Sequence, residues 1–155
     1  MSQVATDGDK LTIMARKFLS VRNEDSSYPK YYFFYGSLMD PGQLARVLRL
    51  RNIPVTLPAS ITGYSCKMWG PYPVLIDGPT DSTVQGVAFE VKSKQVAMRL
   101  AEYETDAYVE HDCIIRFENG DSLPGLTFKW RDSADDPDLR EGNFNLREWQ
   151  ANNKR

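Results

Sequence analysis

The sequence predicts an α+β domain in which helices surround a small, mixed, mainly antiparallel and barrel-like sheet. Three observations predict this class. The length of 155 residues fits one domain with a single core. Segments with strand character dominate the chain. Helix start signals occur between and after these segments, without the regular strand–helix alternation of a parallel α/β fold.

The chain divides into an extension and a folded domain. Residues 1–30 are interpreted as an N-terminal extension that is flexible or loosely docked. Within it, Leu11–Leu19 can form one short amphipathic helix, whereas Asn23–Tyr28 is polar and is followed by Pro29. Residues 31–155 are predicted to form the domain.

The strand signals begin with an aromatic run. Tyr31–Tyr35 is too rich in β-forming residues for a helix and stops at Gly36, so it is predicted as the first core strand. Four later segments also have strand character: Ile61–Trp69, Thr83–Val91, Cys113–Phe117 and Leu126–Trp130.

Local capping patterns predict the helices. Asp40-Pro41-Gly42-Gln43 combines an N-cap residue, a proline at the first helical position and a capping-box glutamine. Ser93 can cap a second helix, in which Val96, Ala97, Leu100 and Tyr103 share one face. Asn145-Leu146-Arg147-Glu148 is a capping box that opens a short C-terminal helix.

Charge and hydropathy exclude several classes of protein. There are 19 Lys and Arg against 21 Asp and Glu, and no basic run that would neutralise phosphates, so we expect no nucleic-acid partner. The longest uncharged stretch, Asn52–Cys66, contains two prolines and is too short for a membrane span. The N-terminus lacks the basic and apolar regions of a secretory signal, so a reducing, cytoplasmic location is expected.

The cysteines and the single histidine give little sign of reactive chemistry. Cys66 and Cys113 both fall in predicted strands, where they are interpreted as small buried hydrophobic residues. His111 lies between two acidic residues, and the two cysteines are too scattered in sequence to complete a metal site with it, so we expect none.

The loop Tyr35-Gly36-Ser37-Leu38 is the first candidate site. It joins the aromatic strand to a capped helix, and such a junction leaves backbone N–H groups free to bind a carboxylate or an oxyanion. Gly36 would let a ligand approach the main chain closely. An ordinary strand-to-helix turn would look the same. A Walker phosphate loop is excluded, because its second glycine and its Lys-Ser/Thr pair are absent.

Glu104 is the second candidate. On a helix it lies about 40° from Leu100, on the apolar face, whereas Glu102 points almost to the opposite side. An apolar environment disfavours the ionised carboxyl and raises its pKa toward the range useful for proton transfer near neutrality. Alternatively, the helix end frays and Glu104 lies in solvent or pairs with Arg99.

Taken together, the motifs resemble those of the γ-glutamylcyclotransferase-like superfamily, and most of all its avirulence-induced-gene-like branch. The resemblance covers about Tyr32 to Phe117. Its elements, in chain order, are Phe34-Tyr35-Gly36-Ser37-Leu38, Tyr72-Pro73-Val74-Leu75, Val84-Gln85-Gly86-Val87-Ala88-Phe89, Leu100-Ala101-Glu102-Tyr103-Glu104 and Tyr108.

This resemblance implies a fold, a site and a reaction. The fold would be a small barrel-like sheet with helices around a cavity. Tyr35, Gly36, Ser37 and Leu38 would hold a γ-glutamyl group through backbone amides, together with Tyr108, and Glu104 would be the general acid and base. The substrate would be a small γ-glutamyl amide whose α-amine attacks its own γ-carbonyl, which gives 5-oxoproline and a free amine without a metal or other cofactor.

The sequence also departs from the family pattern. Thr105 stands where many members have glycine, and Glu110 where an arginine is common; Glu110 would weaken the binding of an anionic substrate or point outward from its strand. The tail Leu126–Trp149 is not part of the general pattern. Its Trp130 and Trp149 are interpreted as core residues, and the alternative is that they shape the mouth of the cavity.

Two other functions stay open. One is a non-catalytic cavity protein that binds a small ligand or a partner and keeps Glu104 as a buried hydrogen-bonding residue. The other is an acyltransferase that passes the γ-glutamyl group to a second amine.

Overall fold

A computed structural model describes residues 27–153, so the predicted N-terminal helix lies outside the described residues. The strands within this range are β1 (Lys30–Phe34), β2 (Leu57–Thr62), β3 (Tyr64–Trp69), β4 (Tyr72–Asp77), β5 (Thr83–Val91), β6 (Tyr108–Phe117) and β7 (Ser122–Trp130). Five of them form a closed barrel in the order β1-β5-β2-β6-β7, and β3 and β4 form a separate two-stranded sheet. The predicted α+β class with a mainly antiparallel barrel is confirmed.

Strand β1 closes the barrel. It pairs antiparallel with β5 from Lys30↔Val91 to Phe34↔Val87, and parallel with β7 at Tyr32↔Leu126. The approach is close on both sides, because a Cβ on Gly86 would collide with the carbonyl oxygen of Phe34 and one on Gly125 would lie 2.7 Å from that of Tyr31. Glycine at these two positions therefore lets β1 fit between its neighbours.

Both faces of β1 are buried, which explains its continuous aromatic sequence. Tyr32 and Phe34 pack against the helices, whereas Phe33 and Tyr35 join a second core cluster on the other side of the strand. Cys113 is buried in that second cluster, as predicted, whereas Cys66 is only partly buried and packs against the cluster. Burial raises the pKa of each thiol to about 12.

The β3–β4 hairpin corrects one strand prediction. Ile61–Trp69 is not one strand, because the chain turns at Gly63 with a φ of 95° and moves from the barrel into the small sheet. Strand β4 was missed because Pro71 and Pro73 weaken its strand signal. The structure accommodates Pro73 because β4 pairs only with β3.

Within residues 27–153 three α-helices complete the fold, and each of these was predicted: α1 (Pro41–Leu48), α2 (Lys94–Glu104) and α3 (Leu146–Asn153). Their N-cap oxygens accept the expected backbone N–H groups, at 2.8 Å for Asp40, 3.3 Å for Ser93 and 2.9 Å for Asn145. Helices α1 and α2 pack on the barrel through Leu44, Leu48 and Leu100. None of the helices within the described range is long and apolar enough to cross a membrane.

Candidate active site

A cavity of about 350 Å³ opens where the end of β1, the end of α2 and the tip of the β3–β4 hairpin meet. All six residues predicted for the site line it, which brings together groups up to 73 positions apart in sequence, from Tyr35 to Tyr108. The wall consists of Phe33, Phe34, Tyr35, Gly36, Ser37, Leu38, Trp69, Tyr72, Pro73, Tyr103, Glu104, Thr105, Tyr108, Phe128, Phe144 and Trp149.

The phenol of Tyr35 is occupied by the fold. Its hydroxyl donates to the carbonyl oxygen of Phe128 at 2.5 Å and accepts from the N–H of Leu75 at 3.2 Å. Burial, and then the nearby Glu104 carboxylate, raise the pKa of this phenol well above its usual range. Tyr35 therefore ties β4 to β7 behind the loop, and its hydroxyl proton is already donated.

The loop after Tyr35 forms a single 3₁₀ turn at Ser37–Met39. The N–H of Met39 bonds the carbonyl of Gly36 at 2.9 Å, whereas the N–H groups of Ser37 and Leu38 have no backbone acceptor within residues 27–153. Ser37 Oγ hydrogen-bonds the hydroxyl of Tyr103 at 2.7 Å, and the side chain of Leu38 is buried in the core. The turn thus leaves the amides of two cavity-lining residues without a backbone acceptor.

Glu104 is the last residue of α2, and its side chain is partly buried at the cavity wall. In the part of the chain that the structure describes, no group hydrogen-bonds its carboxyl and no cation pairs with it. Desolvation by burial raises the pKa of Glu104 from its ordinary 4.5 to about 7. Glu102 is exposed, and Arg99 instead donates to the carbonyl of Leu48 at 2.9 Å, so the alternative Arg99–Glu104 pair is not formed.

The backbone turns sharply after Glu104. Thr105 has φ 63° and ψ −172°, a conformation that is occupied essentially by glycine alone. This turn ends the helix and leads directly into β6. In the family that the sequence resembles, this position is often glycine. Here Thr105 adopts the same glycine-like backbone conformation under strain.

Tyr108 and Glu110 lie two residues apart on β6 but have different roles. The hydroxyl of Tyr108 donates to the carbonyl of Pro73 at 3.0 Å, and its ring lines the cavity. Glu110 is exposed, does not line the cavity, and accepts a hydrogen bond of 2.5 Å from the hydroxyl of Tyr32. Of the two sequence interpretations of Glu110, the structure supports an outward position.

The C-terminal tail contributes two residues to the site: Phe144, which the sequence did not indicate, and Trp149, for which a place at the mouth of the cavity was the alternative interpretation. Trp130 is core, as expected, with 7% of its surface exposed. The interpretation of Trp149 as core is wrong: it is partly exposed and lines the cavity together with Phe144. The capping box at Asn145 was the available signal, since it indicated an ordered helix bearing Trp149.

No group of three or more His, Cys, Asp or Glu side chains within the described residues could hold a metal ion. His111 instead packs edge-on against the ring of Tyr64, with centroids 5.9 Å apart.

Comparison with known proteins agrees with this architecture. Residues 32–151 match the family model described as gamma-glutamyl cyclotransferase, AIG2-like. One Arabidopsis thaliana protein of known solution structure is 25% identical, with a TM-score of 0.64 over 83% of this chain and 85% of its own. A second from the same plant is 21% identical, with a TM-score of 0.64 over 80% and 74%. A structure of a gamma-glutamyl cyclotransferase is 15% identical, with a TM-score of 0.55 over 68% of both chains. No curated protein matches the sequence.

Proposed function

This chain belongs to the AIG2-like gamma-glutamyl cyclotransferase family, and we propose that it converts a small γ-glutamyl amide into 5-oxoproline and a free amine. One observation carries the proposal. Glu104, whose carboxyl has no protein partner among the described residues and a pKa of about 7, lines the same cavity as Ser37 and Leu38, whose N–H groups have no backbone acceptor there.

The reaction needs one group that first accepts and then donates a proton. The α-amine nitrogen of the substrate attacks its γ-carbonyl carbon, which forms the ring C–N bond, and Glu104 accepts the proton that the amine loses. The tetrahedral centre then collapses, the original amide C–N bond breaks, and Glu104 returns the proton to the departing nitrogen. A carboxyl with a pKa near 7 can do both at neutral pH.

The turn would supply the anion-binding groups. The N–H groups of Ser37 and Leu38 are fixed by the 3₁₀ turn and can hydrogen-bond the substrate carboxylate or the developing oxyanion without reorganisation. Holding the glutamyl chain curled also favours ring closure, since attack within one molecule benefits from a high effective molarity.

The structure bears on the two rival functions. A non-catalytic member that kept Glu104 for structure should pair its carboxyl, and no partner for it exists among residues 27–153. This favours the enzyme. An acyltransferase would use the same residues and would differ in which amine attacks.

Incubation of the protein with a panel of γ-glutamyl amino acids and γ-glutamyl amines, followed by mass spectrometry, tests the proposal. We expect 5-oxoproline and one equivalent of the amine from at least one compound. A new γ-glutamyl amide formed from an added amine, without 5-oxoproline, would identify an acyltransferase. Binding without any product would support the non-catalytic function.

A further inference from the structure

The cavity has a second part that the proposed reaction does not use. Beyond the loop and Glu104, its wall is aromatic: Trp69 and Tyr72 come from the tip of the β3–β4 hairpin, and Phe144 and Trp149 come from the C-terminal tail. Trp69 and Tyr72 are 36% and 55% exposed, although large apolar side chains are usually covered. A ligand in the cavity would cover them.

The hairpin side of this wall is held in place. Trp69 and Tyr72 face each other in the β3–β4 register with ring centroids 6.2 Å apart, and the buried Trp130 supports Trp69 from behind at 5.0 Å. A turn at Gly70, with a φ of 59°, brings the two strands together. Because these rings are fixed before a ligand arrives, little side-chain entropy is lost when one binds.

The other two rings lie on a strap, residues 140–150, that is anchored at both ends. At one end Arg140 and Met68 exchange two backbone hydrogen bonds of 2.8 Å each. At the other end Gln150 Nε2 donates to Asp40 Oδ1 at 2.7 Å, which ties α3 to the N-cap of α1. Phe144 and Trp149 lie between these anchors, so the strap carries both rings to the cavity.

Charge narrows the chemistry of the occupant. Of the described residues that line the cavity, Glu104 is the only carboxylate, and none is lysine, arginine or histidine. Lys67, the basic residue of β3, is held elsewhere by the carbonyl of Ala134 at 2.9 Å and by Glu141 at 3.9 Å. If the leaving amine carried a carboxylate, that group would lose its hydration on entering the cavity and would find no cation to pair with. If the leaving amine carried a second, positively charged group, that group would find no carboxylate other than Glu104.

We infer that this aromatic part of the cavity binds the leaving amine, and that the preferred substrates are γ-glutamyl amides whose amine part carries an aromatic ring and no charged group. The inference rests on the proposed function, because it assigns the other end of the same substrate. The cavity of about 350 Å³ lies near the lower limit of the ~300–1,000 Å³ range of ligand pockets. Because the glutamyl group occupies part of this volume, the rest fits a leaving group with one ring better than a dipeptide.

Four synthetic amides test it: γ-glutamyl phenethylamide, γ-glutamyl phenylalanine, γ-glutamyl ethylamide and γ-glutamyl 4-aminobutylamide. The first two differ by one carboxylate, and the third lacks the ring. We expect kcat/KM for the phenethylamide to exceed that for each of the other three about tenfold or more, since unpaired charge and lost apolar contact both weaken transition-state binding. Equal values, or a preference for the carboxylate or the cationic amine, would overturn the inference while cyclisation stood.

Substitutions in the cavity wall test whether its aromatic side chains cause the preference for the phenethylamide. Trp149→Leu and Tyr72→Ala should each reduce the ratio of phenethylamide to ethylamide turnover toward one, whereas Ile114→Ala, at an exposed residue outside the cavity, should leave that ratio unchanged. An unchanged ratio in both cavity variants would overturn the assignment of the wall.

If no amide is turned over, binding measurements distinguish a failure of the proposed reaction from a failure of the aromatic subsite. Calorimetry with the same four compounds should then show the phenethylamide binding about tenfold more tightly than the others, in which case the proposed reaction fails and the aromatic subsite stands. Equal affinities, or no binding, would overturn the subsite as well.

Discussion

Replacing Glu104 with glutamine should make stability less dependent on pH. The substitution removes an ionisable group at nearly constant volume. Burial raises the pKa of Glu104 from 4.5 to about 7, and each pKa unit corresponds to ~1.36 kcal/mol, so ionising this residue lowers the free energy of unfolding by up to about 3 kcal/mol.

The sign follows from proton binding. Between pH 4.5 and about 7 the native state holds a proton on Glu104 that the unfolded chain has lost. The contribution of Glu104 to the free energy of unfolding is therefore greatest below pH 4.5, declines as the pH rises through this window, and is constant above it. The glutamine variant lacks the decline, so it should be at least as stable as the wild type above pH 7.

Urea unfolding of both proteins at several pH values between about 4 and 8 measures the difference directly. Glu102→Gln is the matched control, because Glu102 is exposed on the other side of the same helix. Its stability should follow the wild type at every pH. A Glu104→Gln protein clearly less stable than the wild type at neutral pH would refute the reasoning, since it would mean that the carboxylate has a stabilising partner.

Four further substitutions probe the loop and the turn. Thr105→Gly should raise Tm. Glycine removes backbone strain of ~1–3 kcal/mol at φ 63°, which exceeds the ~0.5–1 kcal/mol of stability lost because the unfolded chain gains conformational freedom. A lower Tm would show that Thr105 is unstrained. Gly36→Val should abolish the binding of γ-glutamyl ligands measured by calorimetry, since a Cβ alone would already lie 3.2 Å from Pro73 Cγ. Ser37→Ala should weaken that binding only modestly. If the valine variant bound the ligands as tightly as the wild type, the loop would not be part of the site. Tyr35→Phe should lower the free energy of unfolding by ~1–3 kcal/mol, because it leaves a buried N–H and a buried C=O without their partner; unchanged urea unfolding would contradict that role.

Features with a local cause could be predicted from the sequence. The starts of the three helices in the described part of the chain were predicted, because the side chains of Asp40, Ser93 and Asn145 cap the amide three residues ahead. The strand at β4 was not found. Pro71 and Pro73 weaken its local strand signal, and it forms because β3 lies beside it.

The same distinction applies to the site. The inward orientation of Glu104 follows from helical periodicity, so the sequence indicated it correctly. The role of the Tyr35 hydroxyl depends on a carbonyl 93 positions away, and the place of Trp149 depends on where α3 docks. No periodic pattern carries such long-range information. The strain at Thr105 likewise became visible only with its backbone angles.

The central claim is that Glu104 transfers the proton during cyclisation. The direct test is the rate of 5-oxoproline formation from a γ-glutamyl amide by the wild type, Glu104→Gln and Glu102→Gln, measured by mass spectrometry with folding checked by circular dichroism. The account predicts that the folded Glu104→Gln protein loses turnover by ~10²–10⁴-fold while Glu102→Gln keeps the wild-type rate. Wild-type turnover by Glu104→Gln would contradict it.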